Sequence, residues 1–309
     1  MKKWEVMQMN KRVYGVVGVK SIMSNWNADF TGRPKTTSDD MIFGSDKALK
    51  YSMKKYWETQ GESILYIKSH VIGKDGKLQP RTLEGRYSQL FGQLDKNTPS
   101  TEVLVNLFSA LDVMCFGATF AEKGNNISIT GAIQVGQGFN KYEHSEVEVQ
   151  DILSPFSTGD DKDNSTLGKK IVSNEAHYCY PVVINPLAYE GYKELIENFE
   201  GFTEAAYTSF VDASLTSATA LATNSKVGCE NEFTMFVETD IDTYLPSLSE
   251  YIYFEKKDGL DIIRFEKPEL LDREDIQRIQ LYYNPYSVKV EGITGDKVKH
   301  MSIFTKEVI

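Results

Sequence analysis

Residues 12–20 read RVYGVVGVK, and residues 24–29, which follow closely, read SNWNAD. The first run is short, rich in β-branched residues and partly alternating in hydrophobicity, which is typical of a β-strand. The second run is a cluster of residues that favour turns. Together they predict a strand that runs into a polar loop, and this loop continues through TGRPK at residues 31–35 to about residue 40.

A helix is expected after the loop, from Ser45 to about Thr59, because a serine side chain can cap the first turn. Its apolar stripe consists of Leu49, Met53 and Tyr56. On another face three lysines recur at spacings of three and four residues: Lys47, Lys50 and Lys54. This pattern predicts one face in the core and one cationic face.

The rest of the chain supplies further elements. Strands are predicted at residues 64–71, 112–121, 126–135, 177–185, 232–238, 251–254, 261–265, 286–290 and 298–304. Helices are predicted at residues 100–111, 190–200, 203–221 and 272–281. The strands at 112–121 and 126–135 should pair as a hairpin. Pro181 lies inside a predicted strand, which indicates an edge position or a bulge.

Residues 137–175 are rich in Gly, Asn, Ser, Asp and Lys and leave the core. A linker or a disordered insert is one interpretation. The other, which we favour, is a projecting β-arm in which apolar residues on either side of the turn pair with each other. Those residues are Val147, Val149, Ile152, Leu153, Ile171 and Val172.

The order of elements predicts an α+β fold. A ferredoxin-like or RNA-recognition-motif-like antiparallel sheet with helical insertions has this order of elements: strand, helix, hairpin, arm, strand, helix and strand. We therefore expect a single domain over residues 1–309, with a helical insertion at 60–110 and the arm at 137–175. Such sheets carry many unrelated functions, so function must be argued from a site.

Composition excludes several classes of protein. No apolar run is long enough for a membrane helix, and the N-terminus lacks the pattern of a secretory signal, so a soluble, cytoplasmic protein is expected. Three cysteines and four histidines are scattered without the spacing of metal ligands or disulfides, so buried thiols and no metal are predicted. The net charge of −10 argues against coating nucleic acid by bulk attraction. Any RNA site must be a local patch.

No catalytic motif is present. The sequence lacks GxSxG, P-loop, GxGxxG and kinase signatures. Paired carboxylates occur at Asp39-Asp40 and Asp160-Asp161, but both pairs lie among turn formers, where solvated acids are the ordinary interpretation. Neither an enzyme nor a cofactor is predicted.

The best candidate site is cationic. Six basic residues occur within a short window of this acidic chain: Arg33, Lys35, Lys47, Lys50, Lys54 and Lys55. With the free N–H groups of a helix start, they could hold phosphates. A solvated helix face, partly neutralised by Asp39, Asp40 and Asp46, is the alternative.

Residues 25–27 and 45–54 resemble the loop and first helix of the Cas-seven family, the backbone subunits of type I CRISPR Cascade complexes. Residues 112–117 and 131–136 are similar to its central strands, 137–175 to its thumb, and 223–228 to a polar loop near RNA. The general organisation is most similar to subtype I-B members. The loop reads NWNAD at residues 25–29, where many relatives read NPNGDP.

The resemblance implies site residues and partners. The RNA-binding residues would be Asn25, Asn27, Arg33, Lys35, Ser45, Lys47, Lys50, Lys54, Asn224, Ser225 and Lys226, and the thumb residues Leu167, Gly168 and Lys169. The subunit would oligomerise head to tail along crRNA, grip its phosphates and present bases to target DNA. Its other partners would be the crRNA-processing endonuclease, the PAM-recognising large subunit and the small subunit.

Three other functions stay open at this stage. One is a metabolic enzyme whose lysine helix holds a phosphorylated small molecule, and another is a protein-interaction scaffold. The third is a target RNase like the related type III backbone subunits, which would use a loop aspartate such as Asp29 or Asp39.

Overall fold

The computed structural model describes residues 7–157 and 165–309, with side chains outside residues 154–167. The helices are α1 Asp46–Thr59, α2 Leu83–Phe91, α3 Ser100–Ser109, α4 Leu111–Phe116 and α5 Glu204–Ala220. The strands are β1 Arg12–Ser24, β2 Phe43–Gly44, β3 His70–Ile72, β4 Leu78–Pro80, β5 Gly117–Phe120, β6 Ile127–Thr130, β7 Ile133–Val135, β8 Gly138–Asn140, β9 Val147–Ser157, β10 Ser165–Ile184, β11 Cys229–Thr239, β12 Ile252–Lys257, β13 Leu260–Phe265, β14 Ile276–Tyr283, β15 Val288–Glu291 and β16 Val298–Ser302.

Strand β1 lies in the middle of a 9-stranded sheet of order β16-β14-β11-β1-β10-β8-β2, in which β7 and β9 also pair with β10. Val17 is opposite Tyr180 on one side and Thr234 on the other, both antiparallel. Gly18 permits close approach to β11, because a Cβ atom there would lie 2.8 Å from the carbonyl oxygen of Phe233. The run that opens the sequence is therefore the centre of the sheet.

Both faces of this sheet are buried. Val17 belongs to a core shared with α1 and α5, where it lies in one cluster with Leu49 and Phe210. Its neighbour Val16 belongs to a second core on the opposite face, with Ile263 of the small sheet β12-β13-β15. Alternate residues of a strand point to opposite faces, so β1 supplies both cores at once. The structure is a mixed α+β fold, as the order of elements predicts.

The arm consists of β9 and the first half of β10. These strands pair antiparallel, with Val149 opposite Ile171 and Ile152 opposite Gly168. Val149, Ile152 and Leu153 are exposed, at 46%, 49% and 71%. The predicted Asp160-Asp161 pair lies outside the residues that the structure describes.

Several predicted elements are wrong. Residues 272–281 do not form a helix, since β14 occupies most of this segment and pairs with β11. Residues 64–69 are irregular instead of a strand, because the N–H groups of Leu65 and Tyr66 bond to the buried Asp112 carboxylate. Residues 190–200 form turns after a short 3-10 helix at Pro186–Tyr192 instead of an α-helix. In each case tertiary partners override local propensity.

The predicted hairpin is correct only in part. Residues 111–116 are helical, in α4, and pairing begins at Gly117, which is opposite Thr130. The second predicted strand splits into β6 and β7, which belong to different sheets. Pro181 is not at an edge, since β10 is flanked on both sides. It lies between the segments that pair with β8 and β7, where no N–H group is needed.

The three cysteines, Cys115, Cys179 and Cys229, are buried free thiols, as predicted. Among the described residues, no helix has the length and apolar character that crossing a membrane requires.

Candidate nucleic-acid interface

Asn25 fixes the loop after β1 to the base of the arm. Its side chain is buried, and its amide nitrogen donates to the carbonyl oxygens of Gly32, at 3.0 Å, and Ile171, at 3.1 Å. Asn25 therefore positions the loop, and its amide group is not presented to a ligand.

Asn27 joins the loop to the start of α1. Its side-chain oxygen accepts a hydrogen bond from the backbone N–H of Ser45 at 2.8 Å, and its carbonyl oxygen accepts one from the N–H of Lys35 at 2.9 Å. Ser45 stands at the N-cap position, but its hydroxyl makes no capping bond, contrary to the prediction. The hydroxyl is thus available to another partner.

Lys226 also holds this loop. Its ammonium group donates to the carbonyl oxygens of Asn25, at 2.5 Å, and Trp26, at 2.7 Å. Burial lowers the pKa of Lys226. Asn224 and Ser225 precede it on an exposed turn, and the Ser225 carbonyl accepts from the N–H of Asn25 at 2.9 Å. This turn is the predicted polar loop near the strand β11.

The lysine row of α1 does not form one cationic face. Lys50 is 3.2 Å from Asp46, and the ammonium group of Lys54 is 3.5 Å from the buried carboxylate of Asp112. Burial lowers the pKa of Lys54, and Asp112 offsets only part of this effect. Lys47 is exposed and, within the described part of the chain, has no carboxylate within 4.0 Å.

The loop after β1, the start of α1 and the turn around Lys226 all line one cavity of about 400 Å³. It is lined by Trp26, Asn27, Ala28, Lys35, Ser45, Lys47, Ala48, Tyr51, Leu221 and Lys226. Five of these are predicted RNA-binding residues, namely Asn27, Lys35, Ser45, Lys47 and Lys226. Arg33 is exposed on the adjoining loop, whereas Lys50 and Lys54 do not line the cavity. The site is a loop, a helix start and a turn that converge beside the end of β1.

A family model described as CRISPR-associated protein Cas7 matches residues 11–279. The chain belongs to the Cas7 family. This membership confirms the resemblance on which the prediction of a crRNA-binding Cascade backbone subunit rests.

A solved structure is similar in fold. A structure titled "CRISPR RNA-guided surveillance complex, pre-nicking" is similar to this Cas7 chain with a TM-score of 0.56 and 12% identity, over 94% of this chain and 96% of that chain. A structure titled "CRISPR RNA-guided surveillance complex" has a TM-score of 0.45 and 15% identity, over 87% and 88% of the two chains. A comparison with curated proteins found no match.

Sequence reasoning missed two aromatic residues of the Cas7 cavity. Trp26 is buried, and its indole N–H donates to the hydroxyl of Tyr180 at 2.5 Å, so it forms a rigid wall. Tyr51 is 47% exposed and lies one helical turn after Lys47. An aromatic residue four positions after an exposed lysine was the available signal, since such residues share a helix face.

Asp29, the loop acid compared with type III RNases, organises its own loop. Its Oδ1 accepts hydrogen bonds from the N–H and hydroxyl of Thr31, both at 2.8 Å, and from the N–H of Arg33 at 3.0 Å. The bond from the Thr31 hydroxyl is the largest cause that lowers the pKa of Asp29. Asp39 is exposed on the same loop.

The predicted thumb residues lie on the arm. Leu167 and Gly168 are opposite Leu153 and Ile152, and the exposed Lys169 is opposite Asp151. The side chain of Leu167 lies outside the described ones.

A second charged cluster joins the central sheet to the small sheet. His177 has its Nδ1 2.9 Å from Glu232 and its Nε2 3.1 Å from Glu175, whose carboxylate is 2.5 Å from Lys256. Glu175, His177 and Asp261 have possible metal-ligand atoms within 4.8 Å of one another. Because lysines and the imidazole already balance these acids, we interpret the cluster as an ion-pair network.

Proposed function

We propose that this chain is a non-catalytic, crRNA-binding backbone subunit of a type I Cascade. Family membership supports the class of protein. The observation that carries the residue-level proposal is the cavity in which Lys35 and Lys47, from separate segments, flank the linked pair Asn27 and Ser45.

The grip would act on phosphates. Lys35 and Lys47 have no carboxylate within 4.0 Å among the described residues, so their charges are available to a phosphate. Ammonium groups act as point charges and do not read base edges. Binding should therefore be independent of sequence and strongly dependent on salt. The net charge of −10 would discourage nucleic acid from binding elsewhere on the surface.

The central sheet would serve as an RNA-recognition-motif-like palm of a single domain over residues 1–309, with a finger insertion at 60–110 and a thumb at 137–175. The exposed apolar residues of the arm favour contact with a neighbouring copy, because water-exposed apolar surface of this kind is often an interface. A head-to-tail contact between unlike surfaces would produce an open helical filament along the guide.

The remaining partners would follow from this assembly. Target DNA would be bound through the crRNA, and the ends of the filament would meet the other Cascade subunits. Subtype I-B and a cytoplasmic location are part of the same proposal.

Co-purification of RNA tests this function. The chain is produced together with its guide-RNA-processing partners, purified, and its nucleic acid is extracted and sized. We expect discrete short RNA in ribonuclease-sensitive, multi-subunit particles. A folded chain that carries no RNA, or one that turns over a phosphorylated small molecule, would contradict the proposal.

A further inference from the structure

The cavity beside α1 has an apolar side as well as a cationic one. Ala48, Tyr51 and Leu221 line it together with Lys35 and Lys47. Tyr51 is 47% exposed although it adjoins a buried core, and in the described part of the structure its hydroxyl makes no hydrogen bond. Packing within this chain therefore does not account for the exposed face of the ring.

This combination matches the two chemical parts of a nucleotide. Ammonium groups attract phosphate, and an aromatic face stacks on a base of any identity, because every base has a π-face. A volume of about 400 Å³ falls within the range of small-molecule sites. A phosphate-only site would need no aromatic wall.

The helix that carries the ring, and two other residues that line the cavity, are fixed before any ligand arrives. Tyr51 lies in the middle of α1, between the buried Leu49 and Met53. Lys226 and Trp26, which also line the cavity, are fixed by hydrogen bonds to the loop carbonyls and to Tyr180. A tyrosine has only two side-chain torsions to order, so stacking on it loses little conformational entropy.

We propose that Tyr51 is a stacking platform for a nucleobase of the bound guide RNA, while Lys35 and Lys47 hold the adjacent phosphates. The inference rests on the proposed function and adds a contact to a base. It predicts a part of the RNA affinity that does not depend on salt.

The test measures binding of the purified full chain to a fluorescent single-stranded RNA about as long as one subunit can cover, over a series of salt concentrations. Tyr51→Ala and Tyr51→Leu should weaken binding about tenfold, the effect of one lost base stack, while the slope of log Kd against log salt stays unchanged. Tyr51→Phe should bind like the wild type. Tyr286→Ala is the control, since Tyr286 is 84% exposed in the connection from β14 to β15.

A second RNA carries abasic sites in place of its bases. The wild type should lose affinity for it and become equal to Tyr51→Ala, because the platform then has no base to bind. If Tyr51→Ala weakened binding to the abasic RNA as much as to the normal RNA, the inference would be overturned. So would a loss seen only on RNA long enough for several copies, which would place Tyr51 at a contact between subunits.

The outcomes separate the two proposals. If the wild type binds RNA and neither Tyr51→Ala nor Tyr51→Leu changes the affinity, the stacking inference alone fails. If the wild type binds no RNA, the proposed function fails and the inference fails with it. Thermal unfolding of each variant identifies any loss of fold, and Tyr51→Leu keeps most of the side-chain volume for that case.

Discussion

The ammonium group of Lys54 lies 3.5 Å from a carboxylate oxygen of Asp112 whose side chain has no exposed surface. The same carboxylate accepts the N–H groups of Leu65 and Tyr66, both at 2.8 Å. Lys54 therefore neutralises a buried acid and connects α1 to the segment before β3. Its place in a row of lysines resembles a phosphate site, but its contacts are structural.

We expect Lys54→Ala to destabilise the fold by about 3 kcal/mol, because removing one partner leaves a buried charge unpaired. Urea unfolding measures the change. Lys47→Ala is the control and should unfold like the wild type, since Lys47 is exposed. In RNA binding the order reverses: Lys47→Ala should weaken binding, and Lys54→Ala should bind like the wild type as long as it is folded. A Lys54→Ala protein of normal stability and weakened, less salt-dependent RNA binding would contradict this assignment.

Lys35 and Lys47 should carry the salt dependence of RNA binding. Each lost phosphate contact on a single strand reduces the slope of log affinity against log salt by about 0.7, so the double alanine variant should lose about 1.4. Lys257 and Lys299, exposed on β12 and β16, provide the matched control pair. Equal slopes for the two double variants would remove the cavity from the RNA site.

Lys226 should act on the loop and not on RNA directly. Lys226→Met keeps the apolar stem but removes both hydrogen bonds to the carbonyls of Asn25 and Trp26. We expect the amide protons of the loop to exchange more than about a hundredfold faster, since two charged hydrogen bonds that contribute about 1.5–3 kcal/mol each are lost. Hydrogen exchange measured by mass spectrometry checks this. Lys193→Met, at an exposed pair with Glu190, should leave the loop unchanged.

The His177 cluster should make stability depend on pH. Burial alone lowers the pKa of His177, but the carboxylates of Glu232 and Glu175 outweigh it and the net pKa is raised. The folded state therefore holds this proton more tightly than the unfolded chain. This contribution is complete below pH 6.5 and is lost as the pH rises through the raised pKa.

The measurement is the difference in unfolding free energy between the wild type and His177→Gln at several pH values. The difference should shrink above pH 6.5. The other charges that face the imidazole are Lys20, Glu175, Glu232, Lys256 and Asp261. They are common to both proteins, so their titration largely cancels. A difference that grows with pH would be inconsistent with a protonated His177.

Asp29→Ala should leave RNA uncut, as in the wild type, because the Asp29 carboxylate is engaged with Thr31 and Arg33. The same change should loosen the loop, since three hydrogen bonds are lost. Incubation of both proteins with target RNA and Mg²⁺ checks the first point. Cleavage by the wild type that Asp29→Ala abolishes would support the type III-like alternative.

The local pattern of apolar residues was sufficient to predict the helices and strands in which that pattern is strongly periodic. Strand β1, helices α1, α3 and α5, and strand β11 were predicted within a few residues, because apolar spacing along the chain reports which face is buried. The helix predicted at residues 272–281 is wrong, since the spacing of apolar residues there suits a helix or a strand. Only the pairing of β14 with β11 selects the strand.

The sequence by itself determined the family, the central strand and the presence of lysines near the start of α1. Only the tertiary structure decided which lysines are available to a ligand. Lys54 meets Asp112, which lies 58 residues away in the chain, and Lys226 bonds to Asn25, which lies 201 residues away. The charge of a lysine is local to the sequence, but its partner is set by packing, and the sequence pattern contains no record of which distant carboxylate or carbonyl comes within hydrogen-bond distance.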